Sequence, residues 1–326
     1  MGSSPGSPSS ASPEFLAVFR AESGAGGVMS FARFMELALY HPSVGYYRRC
    51  QTRVGRGGST DFFTASTSCP VFGELVSAAC VKLLGERQPH EHTFVEIGAE
   101  PEQSVLAGVS HPFKRVRTLR VGEPLAIEGE CVVFSNELFD AQPCVRTVYR
   151  NACWHEIGVQ LEGERLVEVA WPTHVKESGA EGYRFDRPLA AALLAGDIAA
   201  QPWRGLFVAF DYGKTLSELR ENTPMGTARA YHRHVQSNNL LARPGEQDLT
   251  CHICWDWISA ALTRHGFAPP GLEFQEAFFI HHAGRLIAEM STAEAGRLSR
   301  KKLALLQLLH PSQMGQKFQV IHALRN

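Results

Sequence analysis

The sequence predicts an α/β fold with a parallel sheet, and three stretches carry that reading. Cys131-Val132-Val133-Phe134-Ser135-Asn136-Glu137-Leu138-Phe139-Asp140-Ala141 begins as a short apolar run and ends in uncharged and anionic polar groups. A parallel strand covered on both faces has that pattern, with its chemistry held at the carboxyl end. Phe94-Val95-Glu96-Ile97-Gly98 and Leu206-Phe207-Val208-Ala209-Phe210-Asp211-Tyr212-Gly213 repeat the design. Three strands that deliver acids to one edge of a sheet predict a ligand crevice there.

The elements follow in order. Met1 to Pro13 is almost wholly Ser, Pro and Gly, and residues 1–15 read as a disordered tail or an expression remnant. Ser30 is a plausible N-cap for a helix with Phe31, Phe34, Met35, Ala38 and Leu39 on one face, stopped by His41-Pro42. A Gly/Arg-rich loop, Arg53 to Gly58, leads to a second helix. That helix begins at Pro70, has an apolar face of Phe72, Leu75, Val76, Ala79, Cys80 and Leu83, and ends at Gly85. Residues 16–90 thus read as a helical extension, and 91–326 as the main α/β domain.

Within that domain Phe94 opens the sheet, Glu102 to Val109 is a short helix, and Val116 to Val121 is a second strand. Trp154 to Val169 reads as a β-hairpin turning at Glu162-Gly163, and Leu189 to Ile198 as a helix. Asn222 to Thr250 is long, polar and rich in reactive side chains, so it reads as either functional or disordered. Trp255 to His265 and Ala293 to Leu309 read as helices, and Pro311 to Ile321 as a turn and final strand. The basic group Arg297, Arg300, Lys301 and Lys302 reads most simply as a solvated helix face.

Bulk properties narrow the partners. The chain has 326 residues, 44% hydrophobic and 20% charged, enough for a substantial core. A net charge of −1 gives no sign of nucleic acid or an anionic membrane, and the apolar runs are too short to span a bilayer. Oligomeric state is not legible. Eight scattered cysteines point to a reducing compartment without a disulfide framework. The expected location is therefore cytoplasmic, or the mitochondrial matrix in a eukaryote, although no transit peptide is evident.

Several residues could carry chemistry. Glu137 and Asp140 would share a face if a helical turn begins after the strand, and two carboxylates there could grip a guanidinium or act as acid and base. The plainer alternative is that Asn136 and Asp140 cap backbone amides. Glu96-Ile97-Gly98 ends a strand without a G-x-G-x-x-G, and the nearby acids oppose a pyrophosphate but not a cationic cofactor. No P-loop or G-x-S-x-G elbow is present. Cys251-x-x-Cys254 lacks a matching ligand pair and reads as packed thiols, so no metal ligand set is expected. His232, His234 and His252 are the best functional histidines.

Taken together the motifs resemble a known family. Phe34-Met35-Glu36-Leu37-Ala38-Leu39-Tyr40-His41-Pro42-Ser43-Val44-Gly45-Tyr46-Tyr47 looks like its opening signature. Asp61-Phe62-Phe63-Thr64-Ala65-Ser66 and Phe72-Gly73-Glu74-Leu75 look like its second block. Asn136 to Pro143, Asp211-Tyr212-Gly213, Arg229 to His234, Pro244 to His252 and Pro311-Ser312-Gln313-Met314-Gly315 follow in the same order. The chain is similar to the MidA-like family of class I S-adenosylmethionine-dependent methyltransferases, whose mitochondrial members are complex I assembly factors that methylate a protein arginine.

The resemblance implies a Rossmann-like methyltransferase sheet with an N-terminal helical extension and an inserted substrate-facing region around 214–252. It implies S-adenosyl-L-methionine as cofactor, contacted by Asp61, Thr64, Glu96, Gly98 and Asn136, with Glu123 the nearest acid for the ribose hydroxyls. It makes Glu137, Asp140, Asp211, Tyr212 and His234 the residues that hold and activate the acceptor, with a protein arginine side chain as substrate. The chain departs from the family where G-P-G-x-G is replaced by Gly98-Ala99-Glu100-Pro101-Glu102, where Gly-Asp is replaced by Thr60-Asp61, and in a shortened interval from Gly98 to Asn136. Those departures cluster on the cofactor side. They raise a second hypothesis, a catalytically weakened homologue that acts as a protein-binding or assembly factor.

Overall fold

The computed structural model describes residues 11–48, 70–99, 104–296 and 299–326. The chain divides into two compact units, one built from Met1–Phe62, Ala141–Ala190 and Leu216–His252, the other from Phe63–Asp140, Ala191–Thr215 and Ile253–Asn326.

The second unit is a six-stranded sheet between helices. Its strands run in the order Gly271–Phe274, Gln319–Arg325, Trp203–Asp211, Gly129–Asn136, Thr93–Ile97, Arg115–Leu119. The last four are parallel, and Gln319–Arg325 is antiparallel to both of its neighbours. The central strands are apolar on both faces, and side-chain alternation sorts them into two cores. Phe94, Val132, Phe134, Leu206, Val208 and Phe210 pack with helices Val71–Leu84, Gln275–Ala293 and Arg300–Leu309. Val95, Cys131, Val133, Phe207 and Ala209 pack on the other side with Leu189–Ala200 and Trp255–Arg264. This double covering explains why the strands read as unbroken apolar runs. The mixed α/β architecture with a Rossmann-like sheet is the fold class expected from the sequence.

The chain leaves Thr93–Ile97 for the edge strand Arg115–Leu119, then crosses back to Gly129–Asn136 on the opposite side. Strand order therefore reverses at Thr93–Ile97. Ligands of open α/β sheets sit outside the carboxyl ends of the strands at such a switch point. Gly98 and Asn136 end the two strands concerned.

Two local readings need correction. The described part of the short helix expected after Gly98, Ser104 to Val109, is a turn, because the Glu96 carboxylate takes the Val105 amide at 2.9 Å and no helical ladder forms. The helix expected from Ala293 to Leu309 is confined to Arg300–Leu309, and Ala293 is the last residue of a separate helix. Gln275–Ala293 ends before Gly296, which takes φ +73°, and Arg300–Leu309 restarts under Ser299, whose hydroxyl accepts from the Lys302 amide at 3.1 Å. The nineteen-residue helix Gln275–Ala293 has little sequence signal because its buried stripe, Gln275, Phe278, Phe279 and Ala283, is narrow and partly polar.

The first unit is antiparallel. Cys153–Glu162 pairs with Val28–Ser30, Val145–Arg150 and Arg165–Pro172, and Arg184–Arg187 pairs with Val145–Arg150. Helix Phe31–Tyr40, capped by Ser30 as expected, buries Phe31, Phe34, Met35, Leu37, Ala38 and Leu39 in its core. The polar stretch Asn222 to Thr250 is ordered in part as Arg229–His232, flanked by Val235–Ser237 and Asp248–Thr250. A buried ion network fixes its start. Arg146 donates to Asp186 at 2.9 Å and Glu168 at 2.8 Å, while the other Asp186 oxygen accepts the amides of Thr227 and Ala228 at 2.7 and 2.8 Å. Gly226 is required there: a Cβ on it would lie 2.3 Å from Asp186 Oδ2, and its φ is +69°.

Candidate functional site

The polar residues at the carboxyl ends of the parallel strands form one constellation in the second unit. Its anchor is Asp211, fully buried at the end of Trp203–Asp211. Its carboxylate accepts the Phe139 amide and the Tyr212 amide, each at 2.8 Å. The amides of Leu138 and Asp140 point to it as well. Burial pushes the Asp211 carboxyl up to about 7, and these backbone donors work against that rise. Asp211 thus ties the whole Leu138–Asp140 turn to the neighbouring strand. Its oxygens are engaged by backbone, so its work is positioning.

That clamp shapes Asn136 and Glu137. The Gly129–Asn136 ladder ends with the Glu137 amide donating to Phe210 O at 3.0 Å. Glu137 then adopts φ +52°, a left-handed conformation that costs a side-chain-bearing residue about 1 kcal/mol. A strained residue held in place by its surroundings marks a candidate functional position. Asn136 Nδ2 donates to Glu137 Oε1 at 3.1 Å. Asn136 Oδ1 is buried and has no hydrogen-bond partner among the described residues, and neither does Ser135 Oγ, on the opposite face of the strand. Buried polar atoms are nearly always bonded, so the orphaned Asn136 acceptor at the switch point fits a bound polar ligand. Ser135 has no pattern signal in the sequence; only its register, opposite Ile97 and Ala209, brings it here.

The neighbouring strand supplies the facing wall. Gly98 takes φ +80°, and its amide donates to Leu119 O at 2.9 Å. A Cβ on Gly98 would lie 2.9 Å from Leu138 Cδ1, so this glycine lets the two strand ends approach. Glu96 is buried, and its carboxylate accepts from Ser104 Oγ at 2.7 Å and the Val105 amide at 2.9 Å. Burial raises its carboxyl above the usual range, opposed by those two bonds. Its observed work is to fold the Ser104–Val105 turn over the strand. Glu123 is exposed beyond the end of Arg115–Leu119, where its carboxylate accepts the Arg120 amide at 3.0 Å.

Asp140 is 3% exposed, whereas Glu137 is half-buried. Tyr212 is half-buried with its ring against Phe318, centroids 4.2 Å apart. So Glu96, Gly98, Asn136, Glu137, Asp140, Asp211 and Tyr212 share one end of the sheet. Asp61 and Thr64 lie outside the described residues.

His234 belongs to the first unit. With Arg233 it forms the two-residue turn between Arg229–His232 and Val235–Ser237, and both are left-handed, φ 49° and 65°. Such turns favour Asn-Gly, so Arg233 and His234 are held at this exposed tip at a conformational cost. In the same unit Tyr47 donates to Asp248 at 2.9 Å and stacks on Tyr40, centroids 5.5 Å apart. This joins two sequence blocks 201 residues apart. Cys251 and Cys254 are buried free thiols, as their packing role required.

Comparison with known proteins adds the chemistry. A family model described as an S-adenosyl-L-methionine-dependent methyltransferase matches residues 101–272, more than half of the chain. The chain is 22% identical to the zebrafish (Danio rerio) protein arginine methyltransferase NDUFAF7, mitochondrial, over 91% of this chain and 84% of that protein. It superposes on a COG1565 superfamily member from Burkholderia thailandensis, crystallised with S-adenosyl-homocysteine, with a TM-score of 0.83 and 26% identity, covering 96% of this chain and 92% of that one. A native structure of a protein of that superfamily from the same organism gives 0.79 and 25%, covering 96% and 91%.

Proposed function

The chain belongs to the family of S-adenosyl-L-methionine-dependent methyltransferases, and from that premise we propose that it methylates an arginine side chain of a protein. The observation that carries the proposal is Glu137: a half-buried carboxylate, held left-handed by the Asp211-anchored turn, beside the orphaned acceptor of Asn136. A carboxylate there matches a guanidinium, which it can orient through paired N–H donors. The arginine specificity described for the zebrafish relative supports the same acceptor class.

When bound, S-adenosyl-L-methionine supplies an electrophilic methyl group on a sulfonium. Asn136 would offer it the orphaned Oδ1, with Gly98 at the neighbouring strand end. Glu123 stands at the end of the next strand for hydroxyl donors, and Asp61 and Thr64 complete the proposed set. No residue need be consumed, because methyl transfer mainly requires donor and acceptor to be aligned. Glu137 would take hydrogen bonds from the acceptor guanidinium and then the proton released on methylation. Asp140 and Asp211 would hold the turn that aims Glu137, and Tyr212 would wall the acceptor. His234 and the Tyr47–Asp248 pair are assigned to the protein substrate, with residues 214–252 as its docking segment. The buried free thiols suit a reducing compartment, cytoplasmic or mitochondrial matrix.

Calorimetry with S-adenosylhomocysteine tests the first half, and labelled-methyl transfer to cell extract followed by hydrolysis tests the second. Binding is expected, with label recovered as methylarginine. Glu137→Gln should cut transfer by at least about 100-fold while changing cofactor affinity by less than about threefold. Absence of binding at millimolar ligand would leave a protein-binding homologue as the better reading. Label recovered only on other side chains would sink the arginine assignment.

A further inference from the structure

At the far edge of the same sheet, two strands beyond Trp203–Asp211, lies a cluster that the transfer reaction does not use. Glu273, on the edge strand Gly271–Phe274, faces three imidazoles. Its Oε1 is 2.7 Å from His282 Nε2 and 3.2 Å from His322 Nε2, and its Oε2 contacts His281 Nδ1. One ligand atom each from Glu273, His282 and His322 falls within 4.8 Å of the others. All three side chains are largely covered, between 17% and 19% exposed. We propose that Glu273, His282 and His322 bind a divalent transition-metal ion of the zinc class at a structural site, with water completing the shell.

The backbone brings these groups together by design of register. His322 pairs with Gly271 across the sheet, and Glu273 is two residues further along the same strand, so all three positions share one face. A Cβ on Gly271 would lie 2.5 Å from His322 Nε2, so only glycine lets that ring lie across the edge strand toward Glu273. His282 comes from the second turn of helix Gln275–Ala293, which starts directly after the strand. Phe278 packs on both rings, centroids 5.0 Å from His282 and 5.7 Å from His322, and restricts their orientation.

The donor set selects the ligand. Two imidazole nitrogens and one carboxylate oxygen are the three-ligand shell of many zinc sites, with a fourth position open. In a tetrahedral shell with bonds of about 2.0–2.2 Å, ligand atoms stand roughly 3.3 Å apart. The observed 2.7 and 3.2 Å separations need only a slight spreading. Both Nε2 atoms are aimed at one carboxylate oxygen, an arrangement that otherwise needs a proton on each; a cation between them replaces both protons. Bound there, the ion would staple the edge strand, the C-terminal strand and the long helix.

The test uses the full chain, free of any affinity tag and stripped with chelator, titrated with Zn²⁺ and with Co²⁺ as a visible probe. One equivalent should bind at micromolar concentration or tighter, with Co²⁺ giving the absorption of a four-coordinate nitrogen–oxygen site, and Zn²⁺ should raise the melting temperature. His282→Ala and His322→Ala should weaken binding by at least about 100-fold. Glu273→Gln preserves shape; it should lose the Zn²⁺-dependent rise in melting temperature while keeping the wild-type circular dichroism. No uptake at 100-fold molar excess (about 1 mM ion), or one-equivalent binding that survives all three substitutions, would overturn the assignment.

Discussion

The Asp211 clamp makes the sharpest prediction. At pH 8 its carboxylate receives the Phe139 and Tyr212 amides at 2.8 Å, with the Leu138 and Asp140 amides directed at the same group. Asp211→Ala leaves these donors buried without an acceptor. A hydrogen bond to a charged group contributes about 1.5–3 kcal/mol, so the two short bonds set a loss of about 3–6 kcal/mol. Water entering the vacated space returns part of it, which leaves about 3–4 kcal/mol. With a urea slope of about 2–3 kcal/mol per molar, the unfolding midpoint should fall by about 1–2 M. Asp211→Asn keeps one oxygen but turns an amide donor toward backbone N–H groups, and should cost about half as much. Because the clamp sets the turn that carries Asn136 and Glu137, the asparagine variant should also weaken S-adenosylhomocysteine binding by about tenfold. Urea denaturation followed by circular dichroism and calorimetry on the folded variants provide the readouts. A midpoint shift below about 0.2 M for Asp211→Ala would refute the clamp. Unchanged affinity in a stable Asp211→Asn would refute its link to the site.

Three further outcomes follow from the same geometry. Gly98→Ala forces a Cβ onto a φ of +80° and to 2.9 Å from Leu138 Cδ1; it should cost about 1–2 kcal/mol, and adding Leu138→Ala should relieve the contact but not the backbone strain, as read by thermal denaturation of both variants. Asp186→Ala takes from buried Arg146 one of its two carboxylate partners, leaving Glu168, and orphans the Thr227 and Ala228 amides, so a loss of about 3–5 kcal/mol is expected in chemical denaturation, whereas removing the exposed Arg285–Glu289 pair should cost under about 0.5 kcal/mol. The Asp211 carboxyl lies at about 7 against an ordinary 3.8, so the folded chain holds this proton more tightly than the unfolded chain; its contribution is complete below about pH 4 and is lost as pH rises through about 7. Stability of the wild type measured across that window should fall more steeply with pH than that of Asp211→Asn, and parallel slopes would contradict the assignment.

Much of this architecture follows from local chemistry. The double-sided apolar runs at Phe94, Cys131 and Leu206 determine buried parallel strands, because only strands covered on both faces exclude polar residues at every position. Ser30, Gly85 and the proline after His41 mark helix ends through caps that act within one turn. The motif blocks place Asn136, Glu137 and Asp211 together at the strand ends, and the structure brings them together there. Where apolar periodicity is interrupted, local reading fails: Gln275–Ala293 carries no clear helical signal, and Glu102 to Val109 reads as helix because nothing nearby in sequence announces that Glu96 will take the Val105 amide.

What only the tertiary structure decides is the task of each polar group. In sequence Glu96, Glu137, Asp140 and Asp211 are equivalent acids at strand ends. Folding separates them by what else reaches the same space. Backbone amides converge on Asp211, Ser104 and Val105 occupy Glu96, Asp140 is buried, and Glu137 is left half-buried in a strained conformation. The cluster of Glu273, His282 and His322 makes the same point. Its members are separated by up to 49 positions, and no spacing rule links them. Strand register, a glycine opposite a histidine and the first turns of a helix put their ligand atoms within reach of one another. Sequence carries composition and periodicity, which act over a few residues; the identity of a partner across the fold depends on register and packing, which exist only once the chain has closed on itself.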